Sequence, residues 1–162
     1  MLRHGLSGKK DRGNAAVEFA LALPIFVILF IGIIEFGWYF FVQHTLQYAT
    51  REGMRLALVG RTLNDSGGNP MTREASIIRT IRDNASLAVN PASVLVSIYP
   101  VNANFTDPSG WETQQDAGDP GDYMRVRSRY VHAFFTPLIG GFFGGGGITI
   151  QAEGTYRNEL FD

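Results

Sequence analysis

Glu18 is the residue of this chain with the clearest chemical consequence. It follows Gly13-Asn14-Ala15-Ala16-Val17 and precedes Phe19, behind a short basic stretch and ahead of a long apolar run. A lone carboxylate at the mouth of a hydrophobic helix is costly to bury, so its position asks for a partner. Two readings of the residues stay open. The acid could reach headgroup water, helped by the positive end of the helix dipole. Alternatively, a cation supplied from elsewhere could meet it.

Other chemistry-bearing residues do not assemble into a catalytic pattern. His4, His44 and His132 fall in the basic stretch, at the edge of the helical run and in a strand-like segment, without metal-ligand spacing. Asp107, Asp116 and Asp119 lack the alternating oxygens and closing glutamate of a calcium loop. The glycine run 144–147 lacks the lysine and following helix of a phosphate loop, and no nucleophile elbow is present. Catalytic residues, metal ligands and cofactor sites are therefore all read as none, and the chain is read as a non-enzyme.

The elements that position Glu18 follow from composition. The chain has 162 residues, room for one small domain and an anchor. Its net charge is −1, which gives no bulk electrostatic case for nucleic acid. The charge is uneven: Arg3, Lys9, Lys10 and Arg12 precede Gly13 against Asp11 alone, whereas 8 Arg face 11 Asp and Glu after Gly60. There are no cysteines, which removes disulfides, thiolate metal sites and thiol catalysis.

Residues 19–42 carry one charge, Glu35. As a helix the run is about 36 Å long, enough to cross a hydrocarbon core of about 30 Å. It is too long for the core of a secretory signal, and no good signal-peptidase site follows it. The basic flank predicts a cytoplasmic amino terminus and an extracytoplasmic remainder. Trp38 and Tyr39 suit the outer interface. Glu35 stands near that interface, as a snorkelling acid or in a helix–helix contact, and has no assigned role. Pro24 should bend or loosen the helix, because it cannot donate to the carbonyl of Ala20. Beyond the span, Leu46, Ala49, Gly53, Leu56 and Ala57 keep one apolar side, and Gly60 is the expected stop. The result is one helix of roughly 45 residues, embedded first and packed on a domain second.

The segment Gly13 to Phe19 resembles the processing site of type IV prepilins. That resemblance implies cleavage by a membrane peptidase after Gly13, leaving Asn14 with a free α-ammonium and Glu18 as the fifth mature residue. The carboxylate of one subunit could then meet the ammonium of a neighbour. The attraction must offset desolvation of both charges, so the pair acts mainly on register.

The string Arg12-Gly13-Asn14-Ala15-Ala16-Val17-Glu18-Phe19-Ala20-Leu21-Ala22-Leu23-Pro24 closely resembles the start of TadE-like proteins. So do Ile33-Ile34-Glu35-Phe36-Gly37 and Ala49-Thr50-Arg51-Glu52-Gly53-Met54-Arg55. The end of the chain, with Tyr156-Arg157-Asn158-Glu159, is similar but looser. The resemblance implies a minor pseudopilin of the tight-adherence (Flp) pilus. It implies as partners the membrane, a prepilin peptidase, a sister pseudopilin, the major Flp pilin and the pilus assembly platform. It implies placement in the inner membrane, with incorporation into the pilus left open.

The distal part reads as α+β. Residues 62–70 form a loop, with Asn69 as N-cap and Pro70 opening a helix striped by Ile77, Ile78, Ile81, Ala85 and Ala88. Asn90-Pro91 ends it. Strands are expected at 93–99, 122–134 and 148–156, forming an antiparallel sheet with one face on the helices. Met124, Val126 and Tyr130 point inward, and Arg125, Arg127 and Arg129 outward. The arginine stripe reads as a solvated face, with Glu153 as a cross-strand counterion. Residues 101–121 read as an exposed loop. Residues 137–147 display Leu138, Ile139, Phe142 and Phe143 on a glycine-rich backbone. They either tuck under the sheet or offer Phe142 and Phe143 as a partner contact.

The fold class expected is α+β: a long pilin-like helix, transmembrane in its first half, packed on one helix and a three-stranded antiparallel sheet. The expected division is a leader at 1–13, the long helix at 14–60 and an extracytoplasmic domain at 61–162. Gly13 and Asn14 are the candidate processing site, and Glu18 and Phe19 the candidate assembly residues. The competing reading, from a different functional class, is a membrane-tethered extracytoplasmic binding module whose helix only anchors it.

Overall fold

A computed structural model describes residues 7–144 and 147–160. Arg3 and His4 of the leader, and Gly145 and Gly146 of the glycine run, lie outside the described residues. Helix α1 runs over Ser7–Leu58, 52 residues, and its helical pattern continues through Pro24. Its start inside the expected leader makes the Gly13–Asn14 peptide helical. The chain divides into two compact units, one ending at Trp38 and the other beginning at Tyr39.

The first unit is helical surface. Phe19, Leu21, Ile25, Phe30 and Ile33 are all exposed, so no protein face selects among them. The segment is long and apolar enough to cross a membrane. From Gly13 to Trp38 the buried position is Glu35.

The second unit is the α+β domain. Strands β1 (Leu95–Pro100), β2 (Tyr123–His132) and β3 (Ile148–Arg157) form an antiparallel sheet in the order β1-β2-β3. The distal stretch of α1 and helix α2 (Arg73–Ala85) supply the core that meets it. Val42, Leu46, Ala49, Ala57, Ile77 and Ile81 are buried with Val96, Ile98, Met124, Val126, Ile150 and Ala152. Gly53 makes the two helices' close approach workable: a Cβ there would stand 2.4 Å from Ile81 Cγ1.

The helix and the sheet run in step. Tyr39 packs on His132, Thr50 bonds Ser128, Met54 covers Gly154, and the Leu58 carbonyl accepts from Glu159 N–H at 3.0 Å. The Thr50 hydroxyl also lies 2.7 Å from the Leu46 carbonyl, and the Ser128 hydroxyl 3.5 Å from the Ala152 carbonyl, so the pair is anchored in both the helix and the sheet. From Tyr39 to Leu58 the helix rises about 29 Å, and a strand of β2's length spans about the same distance.

Three local expectations are corrected. α2 begins at Arg73, not at Pro70. Asp65 Oδ1 accepts from the N–H groups of Gly67 and Asn69, both at 2.8 Å, which closes a turn that contains Asn69. Thr72 then caps the helix, its hydroxyl accepting from Ala75 N–H. At the far end α2 stops at Ala85, and Asn90 instead caps a single 3-10 turn, Pro91–Ser93. The connection after β2 is not loop throughout. Pro137 opens a short helix, α3 (Pro137–Phe142), despite Gly140 and Gly141.

Candidate functional site

The amino-terminal site is built on one exposed helical surface. Gly13 has no side chain or neighbouring element within 4 Å of where a Cβ would stand, so it is approachable from outside. It is also the weakest residue of its turn, since glycine costs about 1 kcal/mol relative to alanine within a helix. Glu18 is exposed, and among the described residues it makes no hydrogen bond or ion pair within the chain. Phe19 beside it is 65% exposed. Gly13, Asn14, Glu18 and Phe19 therefore lie exposed within about two turns of helix. Such a surface can present a peptide bond and a carboxylate to other molecules. It has no nucleophile, acid–base pair or metal-ligand cluster of its own. Among the described residues no group of three His, Asp or Glu could hold a metal.

The outer face of the sheet holds the other polar cluster, and it is not the solvated face the alternation predicts. Residues 101–117 fold across it. Ile98 N–H donates to the Gln114 carbonyl and Asp116 N–H donates to the Ile98 carbonyl, both at 2.9 Å, which fixes the strap along β1. Asp107 sits at its centre. One of its oxygens accepts from the Tyr99 hydroxyl at 2.9 Å and from Arg125, and the other accepts from Arg127 at 2.9 Å. Arg127 also pairs with Glu153 across β3, as the register Arg127↔Glu153 requires. The Trp111 ring lies 4.0 Å from the Arg127 guanidinium carbon and 4.8 Å from that of Arg129. Ser97 and Arg129 both donate to the Glu112 carbonyl at 2.7 Å.

Arg127 is consequently buried, with 8% of its side chain exposed. Burial alone would raise the Asp107 carboxyl, but the Tyr99 and arginine hydrogen bonds outweigh it and hold its pKa below the ordinary 3.8. Burial, then the bond to Asp107, pushes the Tyr99 phenol up to about 12. Arg125 and Arg127 thus spend their donors on Asp107, Glu153, Thr155 and the Phe105 carbonyl, and Arg129 donates to Ser97 and the Glu112 carbonyl while its Nε is buried without a partner among the described residues. The cluster clamps the strap to the sheet.

Phe142 and Phe143 separate. Phe143 stacks on Phe134 with centroids 4.8 Å apart, while Phe142 at the end of α3 is 82% exposed. Both rings are exposed, Phe143 at 40% with one side covered by Phe134.

The arrangement is α+β: a long apolar amino-terminal helix, then one helix and a three-stranded antiparallel sheet. Within this chain, residues 13–55 match the family of TadE-like proteins. The match begins at Gly13 and takes in Asn14, Glu18, Phe19, Glu35 and Gly53. It associates the chain with tight-adherence (Flp) pilus systems, whose TadE-like members are structural components. No curated protein and no solved structure matches the chain.

Proposed function

We propose that this chain is a minor pseudopilin that helps initiate Flp pili. The observation that carries the reading is the family match starting at Gly13, together with a carboxylate exposed five residues on. A prepilin peptidase cuts after Gly13, and Asn14 becomes the mature amino terminus. The Glu18 carboxylate of one subunit meets the Asn14 ammonium of a neighbour inside the apolar helix bundle. A misregistered subunit leaves a charge unpaired in low dielectric, which costs several kcal/mol and so selects the register. Phe19 packs beside that pair. The neighbours are a sister pseudopilin and the major pilin, on an assembly platform in the cytoplasmic membrane. The amino terminus faces the cytoplasm and the α+β domain faces out.

Glu18→Ala separates processing from assembly. The account expects the variant to be cut after Gly13 at close to the normal extent, yet to be lost from the sheared pilus fraction and to support few pili by microscopy. Normal pilus numbers with the variant incorporated would eliminate the role given to Glu18.

A further inference from the structure

The connection between β2 and β3 is apolar in an unusual place. Residues 133–147 contain no Asp, Glu, Lys or Arg. The strap at 101–117, by contrast, carries Asp107, Glu112 and Asp116. Phe135, Leu138 and Phe142 stand exposed on the connection, and Val131 is exposed just before it. These four exposed apolar side chains on one short, uncharged segment offer a contact surface.

Its position in the domain bears on what it could contact. The connection leaves the sheet at the His132↔Ile148 end. Gly147 lets the chain return there: its φ is +110°, and a Cβ would stand 2.3 Å from the His132 carbonyl oxygen. A row of rings ties this end to the helix. Tyr39 meets His132 edge-on at 5.6 Å, His132 meets Phe134 at 5.4 Å, and Phe134 stacks on Phe143 at 4.8 Å. Tyr39 is also where the covalent chain enters the domain from the apolar segment. It lies within about 5 Å of helix rise from Val42, the end of the expected span. The apolar tip is therefore held beside the point at which the helix leaves the bilayer.

We propose that α3 and its flanking phenylalanines rest in the boundary between headgroups and acyl chains of the outer leaflet, as a second, non-spanning membrane contact. This rests on α1 crossing the bilayer. Phe and Leu side chains on an interfacial helix bury to that depth, and a short uncharged helix with one stacked ring and one presented ring can insert shallowly without burying a charge. The contact gives the domain a fixed face toward the lipid, which a single helix alone does not.

The chain contains no cysteine, so single labels can be placed cleanly. Phe142→Cys, Leu138→Cys, Asp119→Cys and Phe30→Cys would each carry an environment-sensitive fluorophore. The full chain is reconstituted in vesicles of phosphatidylethanolamine and phosphatidylglycerol, with bromine on shallow or on deep acyl carbons. Labels at Phe142 and Leu138 should shift to the blue and be quenched by shallow bromine. The label at Asp119, at the opposite end of the sheet, should do neither, and the label at Phe30 should be quenched by deep bromine. Quenching at Phe30 with water-like, unquenched emission at Phe142 and Leu138 would overturn the lipid contact and leave the anchor standing. Shielding of Phe142 only on addition of a sister pseudopilin would overturn it in favour of a protein contact. An unquenched label at Phe30 would refute the anchor and this contact with it.

Discussion

One helix lies in two environments. From Phe19 to Phe30 its apolar side chains are exposed on every side, whereas from Val42 to Ala57 the apolar residues Val42, Leu46, Ala49 and Ala57 are each about 1% exposed or less. The backbone is the same; the difference lies in what surrounds it. An all-round apolar surface suits a solvent of uniform chemistry, and a one-sided surface suits a domain. The residues that look alike in the two halves should therefore respond differently to the same substitution.

The largest difference should come from core truncation. Leu46→Ala removes a fully buried side chain and should lower the stability of the α+β domain by about 2–5 kcal/mol. Phe30→Ala should leave the unfolding midpoint of that domain unchanged, as read by denaturant titration in detergent. Equal losses from both would erase the distinction.

The glycines sharpen it. Gly53→Val meets Ile81 and should cost about 1–3 kcal/mol through overpacking. Gly32→Ala meets nothing within 4 Å and should cost the domain nothing in the same titration. A neutral Gly53→Val would mean that the two helices do not pack as described.

The smallest effect concerns the strap. The folded Asp107 pKa lies below its ordinary value, so the stability it contributes is present above about pH 4 and is lost as pH falls through the lower folded value. Acidification should release the strap and change Trp111 fluorescence, read in a Trp38→Phe background to isolate that ring. Asp107→Asn should show the released signal already at neutral pH. A variant indistinguishable from the parent across the titration would remove Asp107 from the clamp.

Much of the architecture was legible because it is local. The 3.6-residue period of α2 and the alternation of Met124-Arg125-Val126 and of Ile150-Gln151-Ala152 are carried by neighbours in sequence. The Gly13–Phe19 segment was legible for the same reason, as a contiguous string. The strap was not. Arg127 reads as outward-facing, and it does point to the outer face, but Asp107 lies 20 residues away on a segment without periodicity. No local pattern announces that such a segment will fold back and bury the arginine. Helix α3 was hidden by its glycines, whose poor propensity is offset by Pro137 at the first turn and by Phe143 stacking on Phe134. The start of α2 was misassigned because Asn69 and Thr72 are both competent caps. The Asp65 turn decides between them by engaging Asn69 first.

The central claim is that the exposed Glu18 serves a newly made amine on Asn14. Intact-mass measurement of the chain, purified from membranes of cells that contain the prepilin peptidase, tests it most directly. The account predicts a mature species beginning at Asn14, lacking residues 1–13. A pilus-competent chain that retains those residues would contradict it.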